Sequence, residues 1–230
     1  MNKTEKFTFL ILGTIYLLII IFTILVNLKK IVIQKVSFRK VLKINLFISL
    51  LVLVFLFILN YINFIDYEKP IPYKEVNQIT FKKFKGFDFF KKELYGSKYF
   101  AYVFTSIDYE ITKESINIDA HFHPSRSFVY DKEAKSSELL NHEIYHFKIT
   151  EIFARKIRKE IIQKKAFDKK LIEEIISKNI ILENKFQEKY DYDTFHSYVL
   201  KEQKKYEKIV DSTLKSLNKY EDSKIKFYDK

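Results

Sequence analysis

Two stretches, FTFLILGTIYLLIIIFTILVNL at residues 7–28 and INLFISLLVLVFLFILNYINFI at residues 44–65, carry no charged side chain. As a helix rising about 1.5 Å per residue, each reaches about 33 Å, enough for a hydrocarbon core about 30 Å thick. Neither has the polar face that a helix in a soluble core requires. A cleaved signal peptide has a shorter apolar region followed by small residues, whereas the first block runs into VNLKK. The pattern predicts two transmembrane helices, at about 7–28 and 44–65. Residues 1–66 then form a membrane anchor, and residues 67–230 a polar domain long enough to bury its own core.

The net charge of +12 divides between these parts. Between the apolar blocks, Lys29, Lys30, Lys35, Arg39, Lys40 and Lys43 stand without an acid, a topology signal that places this loop in the cytoplasm. The expectation is a multi-pass protein of the cell (inner) membrane, with the bilayer as a partner. Its amino terminus and residues 67–230 then face the periplasm or the outside of the cell. The remaining positive charge is spread along the domain with no phosphate-binding stripe, so no nucleic-acid partner is expected. The chain has no cysteine, which excludes disulfides and thiolate metal ligands.

The chemistry is concentrated in SSELLNHEIYHFKITEIFARK, residues 136–156. With residues 136–164 taken as a helix at about 100° per residue, Leu139, His142, Glu143, His146, Phe153, Ile157 and Ile161 share one stripe. Lys148, Arg155, Arg158 and Lys159 fall mainly on the rest. His142 and His146 are one turn apart and both point inward, the spacing that chelates one zinc ion through two imidazoles. Glu143 comes near the same centre without facing it squarely, where it can take a proton from water activated by the metal.

A catalytic zinc needs a third protein ligand. Glu151 lies about half a turn round the helix from His142 and cannot supply it. In EKYDYDTFHSYVLKEQKKYEKIV, residues 188–210, Asp191 and Asp193 suggest a turn, and Asp193 or Thr194 a helix cap. His196 is then expected at the start of the inward face of the helix that follows. The other two histidines stand in SINIDAHFHPSRSF, residues 115–128. There Ile116, Ile118, Ala120 and Phe122 alternate with Asn117, Asp119, His121 and His123, as in a half-buried strand. His121 and His123 share its polar face, either contacting substrate or remaining solvated. The strand itself could align an extended peptide through its main chain.

Four successive motifs, ITFKKFKGF, SINIDAHFHPSRSF, LLNHEIYHFKITEIFARKIRK and YDYDTFHS, resemble a bacterial family of uncharacterised domains described as predicted secreted zinc-dependent proteases. The resemblance spans about residues 78–216. The family pattern is an F-x-P-x-x-S-W strand end, an L-x-H-E-x-x-H-F-x-I-x-E-x-x-A-R helix and a late Y-D-x-x-T-x-H-G. It implies a zincin-like site with His142, His146 and His196 on zinc and Glu143 as base. This chain departs from it at Phe128, where Trp is usual, at Ser197, where Gly is usual, and at Ile144–Tyr145, often Gln-Gly.

Together these observations predict an α+β protein: two transmembrane helices, then a zincin-like domain with a small antiparallel sheet and long helices. The expected activity is zinc-dependent hydrolysis of a protein or peptide substrate. The alternative is a non-catalytic, membrane-tethered envelope binding module whose zinc is structural or absent.

Overall fold

The computed structural model describes residues 3–31, 37–61, 68–86, 101–129, 135–165 and 168–227. The chain forms two compact units, Met1–Lys69 and Pro70–Lys230, close to the division expected at residue 66.

The first unit holds helices α1 (Lys3–Asn27) and α2 (Phe38–Tyr61). Three of its polar side chains among the described residues are satisfied within the helix pair, as an apolar setting requires. Thr14 and Thr23 donate to the carbonyls of Leu10 and Ile19 one turn earlier, and Asn45 donates to Thr23 across the helix pair. Among the described residues one stretch, Phe38–Ile58, is long and apolar enough to cross a membrane by length and composition. The expectation of two spans is corrected accordingly. Within α1, the stretch Gly13–Asn27 is a shorter apolar helix among the described residues. The candidate span also begins earlier than residue 44 and takes Arg39, Lys40 and Lys43 into its first turns. Residues 62–65 of the second apolar block lie outside the described residues.

The second unit is α+β. Its strands are β1 (Ile71–Pro72), β2 (Ala101–Tyr102), β3 (Thr105–Ile111), β4 (Ser115–Phe122), β5 (Phe128–Val129) and β6 (Lys224–Lys226), and its helices are α3 (Ser137–Lys164), α4 (Lys169–Thr194) and α5 (Leu200–Ser216). β4 is the centre of an antiparallel sheet. β3 pairs along its length from Thr105↔Phe122 to Ile111↔Ile116, while β1 and β6 take opposite ends of its other edge. β2 and β5 form a separate two-stranded ladder. The alternation expected of residues 115–122 is present: Ile116, Ile118, Ala120 and Phe122 are buried and the intervening residues half-buried.

Helix α3 begins one residue after the expected start, with Ser136 as its N-cap accepting from the Leu139 amide at 3.0 Å. It packs against β3 and β4 on one side and against α4 and α5 on others. That contact on several sides overturns one expectation. Arg155 and Arg158, assigned to the outer face, are buried. Burial of two guanidinium groups is sustained by complete pairing. Arg158 Nη2 donates to Glu151 Oε2 at 3.1 Å, its Nε to the Ile118 carbonyl at 3.1 Å and its Nη1 to the Tyr220 carbonyl at 2.6 Å. Arg155 Nε meets Glu151 Oε1 at 2.8 Å. Arg158, held by Glu151, thus joins α3 to the central strand and to the segment that follows α5.

Removal of one partner from such a buried network leaves an uncompensated charge. Arg158→Ala is expected to lower the unfolding free energy of the detergent-solubilised chain by about 3–5 kcal/mol. Lys164→Ala, which removes an exposed pair, should change it by less than about 1 kcal/mol. Denaturant titration followed by near-ultraviolet circular dichroism measures both.

Candidate metal centre

The spacing of α3 places His142 and His146 on its buried face with their Nε2 atoms 3.2 Å apart. What meets them comes from the end of α4. This helix runs unbroken to Thr194, so Asp191 belongs to its last turns and not to a connecting turn. Asp193 caps nothing; it accepts from Lys189 and Tyr206. His196 does not open the next helix either. It sits in a turn in which Phe195, His196 and Ser197 all have positive φ, at 46°, 51° and 80°. The His196 amide closes this turn on the Asp191 carbonyl at 3.1 Å. Left-handed backbone costs a residue with a Cβ about 1–2 kcal/mol, and Ser197 takes it at the position where the resembling pattern has glycine.

The turn brings His196 to the same place as the helix histidines. Asp191 Oδ1 lies 3.2 Å from His142 Nε2, 2.9 Å from His146 Nε2 and 3.3 Å from His196 Nδ1. His142, Asp191 and His196 each present a ligand atom within 4.8 Å of the others. The three histidines expected to converge do so, and Asp191 joins them as a residue the sequence reading did not assign.

The residues fit a zinc ion. The donors are three imidazole nitrogens and a carboxylate oxygen, all within zinc's preferred set. Metal–ligand bonds of about 2.0–2.1 Å in a tetrahedron imply donor–donor separations of about 3.3 Å, close to those between Asp191 and each histidine and between His142 and His146. His146 is also oriented from behind. Its Nδ1 lies 2.6 Å from Gln187 Oε1, which places a ring proton there and turns Nε2 toward Asp191. Gln187 is held by its own amide group, which donates to the His146 carbonyl and to Thr150. His142 is clamped by the Tyr190 ring, stacked at 4.7 Å with an interplanar angle of 19°.

Electrostatics follow from burial around one carboxylate. Burial pushes the His142 imidazole down to about 4 against the pull of Asp191, so this ring is neutral and its lone pair available. Burial also opposes the charge on His146. There Asp191, joined by Glu143 and Gln187, prevails and raises it to about 9. Burial works against the Asp191 charge too, yet the three histidines hold it far below the usual carboxylate range. Glu143 is 4% exposed. Burial pushes its carboxyl up to about 7, with Asp191 adding to the rise while His146 and a backbone hydrogen bond from Val103 oppose it.

No family model, curated protein or solved structure matches the chain. The chemistry of the centre is therefore set out from its own residues.

His121 and His123 are placed on the β3–β4 face. His121 Nδ1 lies 3.0 Å from Asp108 Oδ2, and His123 Nε2 lies 2.8 Å from Ser106 Oγ, which in turn donates to Asp108. The strand that carries them has neighbours on both edges, so its main chain is largely committed within the sheet and does not provide the peptide-aligning edge expected of it. The HPSRSF segment has a positioning role. Ser127 Oγ donates to the His123 carbonyl at 2.8 Å and accepts from the Phe104 amide at 2.9 Å, fixing the segment whose Val103 reaches Glu143. Gly86 donates to the Ser127 carbonyl at 2.7 Å, and a Cβ at this glycine would meet the same oxygen at 2.8 Å.

Gln187 and Asp191 had a legible signal: Glu183, Gln187, Tyr190, Asp191 and Thr194 recur at three- and four-residue steps, one face of a helix. Gln187→Leu is expected to preserve the fold and weaken zinc affinity about 10–100-fold. Competition with a chromophoric chelator measures it.

Proposed function

We propose that the chain is a membrane-anchored, zinc-dependent peptidase with a zincin-like site, in which Glu143 is the general base. The observation that carries this reading is the meeting of His142, His146 and His196 beside a buried carboxyl group whose pKa lies near neutrality. A zinc ion held there supplies Lewis acidity, polarising a carbonyl and making water more acidic. Glu143, a buried carboxyl next to His142 on the same helix, is placed to accept a proton from the attacking water and return it to the leaving amine. Val103 orients that carboxyl through its backbone, and Gln187 and Tyr190 hold the imidazoles. The same residues carry the resemblance to secreted zinc-dependent proteases, which supports a protein or peptide substrate.

The test uses the full chain in detergent with zinc, against a quenched-fluorescence peptide library. Wild type should bind one zinc and cleave; His142→Ala should lose the metal; Glu143→Gln should keep the metal and lose at least about 100-fold in rate. Undiminished cleavage by Glu143→Gln with zinc retained would falsify the assignment of Glu143. A second reading, a tethered binding module with structural zinc, is favoured by the fourth donor, Asp191. A zinc-loaded wild type that cleaves no member of the library would establish it.

Lys29 and Lys30 precede the candidate span of α2 and Arg39, Lys40 and Lys43 lie in its first turns, which supports a cytoplasmic start and an extracytoplasmic second unit. Because the chain has no cysteine, single introduced cysteines report topology without background. Lys219→Cys is expected to react with a membrane-impermeant maleimide in spheroplasts, and Lys30→Cys only after lysis. The reverse pattern would place the metal centre in the cytoplasm.

A further inference from the structure

Resting on the reading of this centre as a zinc site, we propose that Asp191 is a fourth protein donor that closes the resting site and must leave the ion before a substrate can reach it. A carboxylate that merely orients a ligating histidine hydrogen-bonds to the ring nitrogen facing away from the metal. For His146 that nitrogen is Nδ1, and Gln187 occupies it. Asp191 instead meets Nε2 of both His142 and His146, the atoms those rings turn toward each other. It therefore stands inside the ring of ligand atoms and not behind it. Its separations from all three histidines are those of neighbouring donors on one tetrahedral ion.

Four such donors fill a tetrahedral zinc, whereas a hydrolytic one keeps a position open. Asp191 is the donor placed to yield. The side chain of His142 is 2% exposed and that of Asp191 29%, so the carboxylate has a path toward solvent that the helix histidines lack. It also lies in the last turn of α4, just before the left-handed residues Phe195–Ser197. Opening is a ligand exchange: Asp191 Oδ1 leaves the ion and an oxygen of the incoming molecule replaces it, with no change in oxidation state.

The experiment uses the full chain in detergent loaded with cobalt(II), with acetohydroxamic acid as the probe. Wild type is expected to give the intense visible bands of a four-coordinate ion, to leave the line width of ¹⁷O-labelled water unchanged, and to bind the probe weakly. Asp191→Ala should bind it at least about tenfold more tightly, with a shift of the visible bands, and Asp191→Glu should return toward wild type. Equal probe affinity in wild type and Asp191→Ala, or ¹⁷O broadening in wild type, would overturn the proposal while leaving the zinc site intact. Should Asp191→Ala fail to fold, the ¹⁷O measurement on wild type decides alone. A folded wild type that binds no cobalt would remove the metal site and this proposal together. A closed cobalt site in a protein that cleaves no peptide would remove only the peptidase reading.

Discussion

One carboxylate oxygen, Oδ1 of Asp191, is within hydrogen-bonding reach of imidazoles from two separate parts of the second unit. A partly buried anion is costly unless paired, and here the pairing ties α3 to the end of α4. The Tyr190 ring on His142, the Gln187 amide across His146 and Thr150, and the turn that delivers His196 all serve that one convergence. Glu151 has the equivalent place at the far end of α3, where it gathers Arg155 and Arg158. Polar groups at both ends of the same buried helix are therefore satisfied by separate partners, so the helix has a fixed register against the sheet.

The amount of this that could be read from the sequence differed by element. Helix α3 and strand β4 were legible because apolar residues recur at 3.6 and 2 residue periods and are bounded by Ser136 and by Thr112–Ser115. The inward placement of His142 and His146 followed from that helix. Asp191 was missed for a specific reason: aspartate favours turns by local propensity, and two aspartates in YDYD read as a break. Tertiary contacts override that preference, since Tyr190 packs on His142 and Asp191 on the histidines, and the helix continues to Thr194. Arg155 and Arg158 were misplaced because the face away from the apolar stripe was taken to mean solvent. In a helix covered on several sides, charge marks where a buried partner must be.

The first unit shows a different limit. An uncharged run states how much of a chain avoids water, but the length of a span depends on where the helix carries that run. Helix α2 continues back through Arg39, Lys40 and Lys43, whose long side chains can reach a headgroup region while their stems stay apolar.

The three consecutive left-handed residues at 195–197 have a consequence for how the centre assembles. Helix geometry delivers His142 and His146 already in position, so they contribute a preformed half of the site. His196 arrives on a backbone whose conformation is unfavourable for every side chain in it except as other contacts compensate. The two halves thus differ in kind, one rigid by local structure and the other dependent on what it holds. In a centre built this way, the two histidines of α3 are held by helix geometry and His196 by the contacts of its turn. A metal ion would then work as a tertiary contact of the fold as well as its chemical cargo.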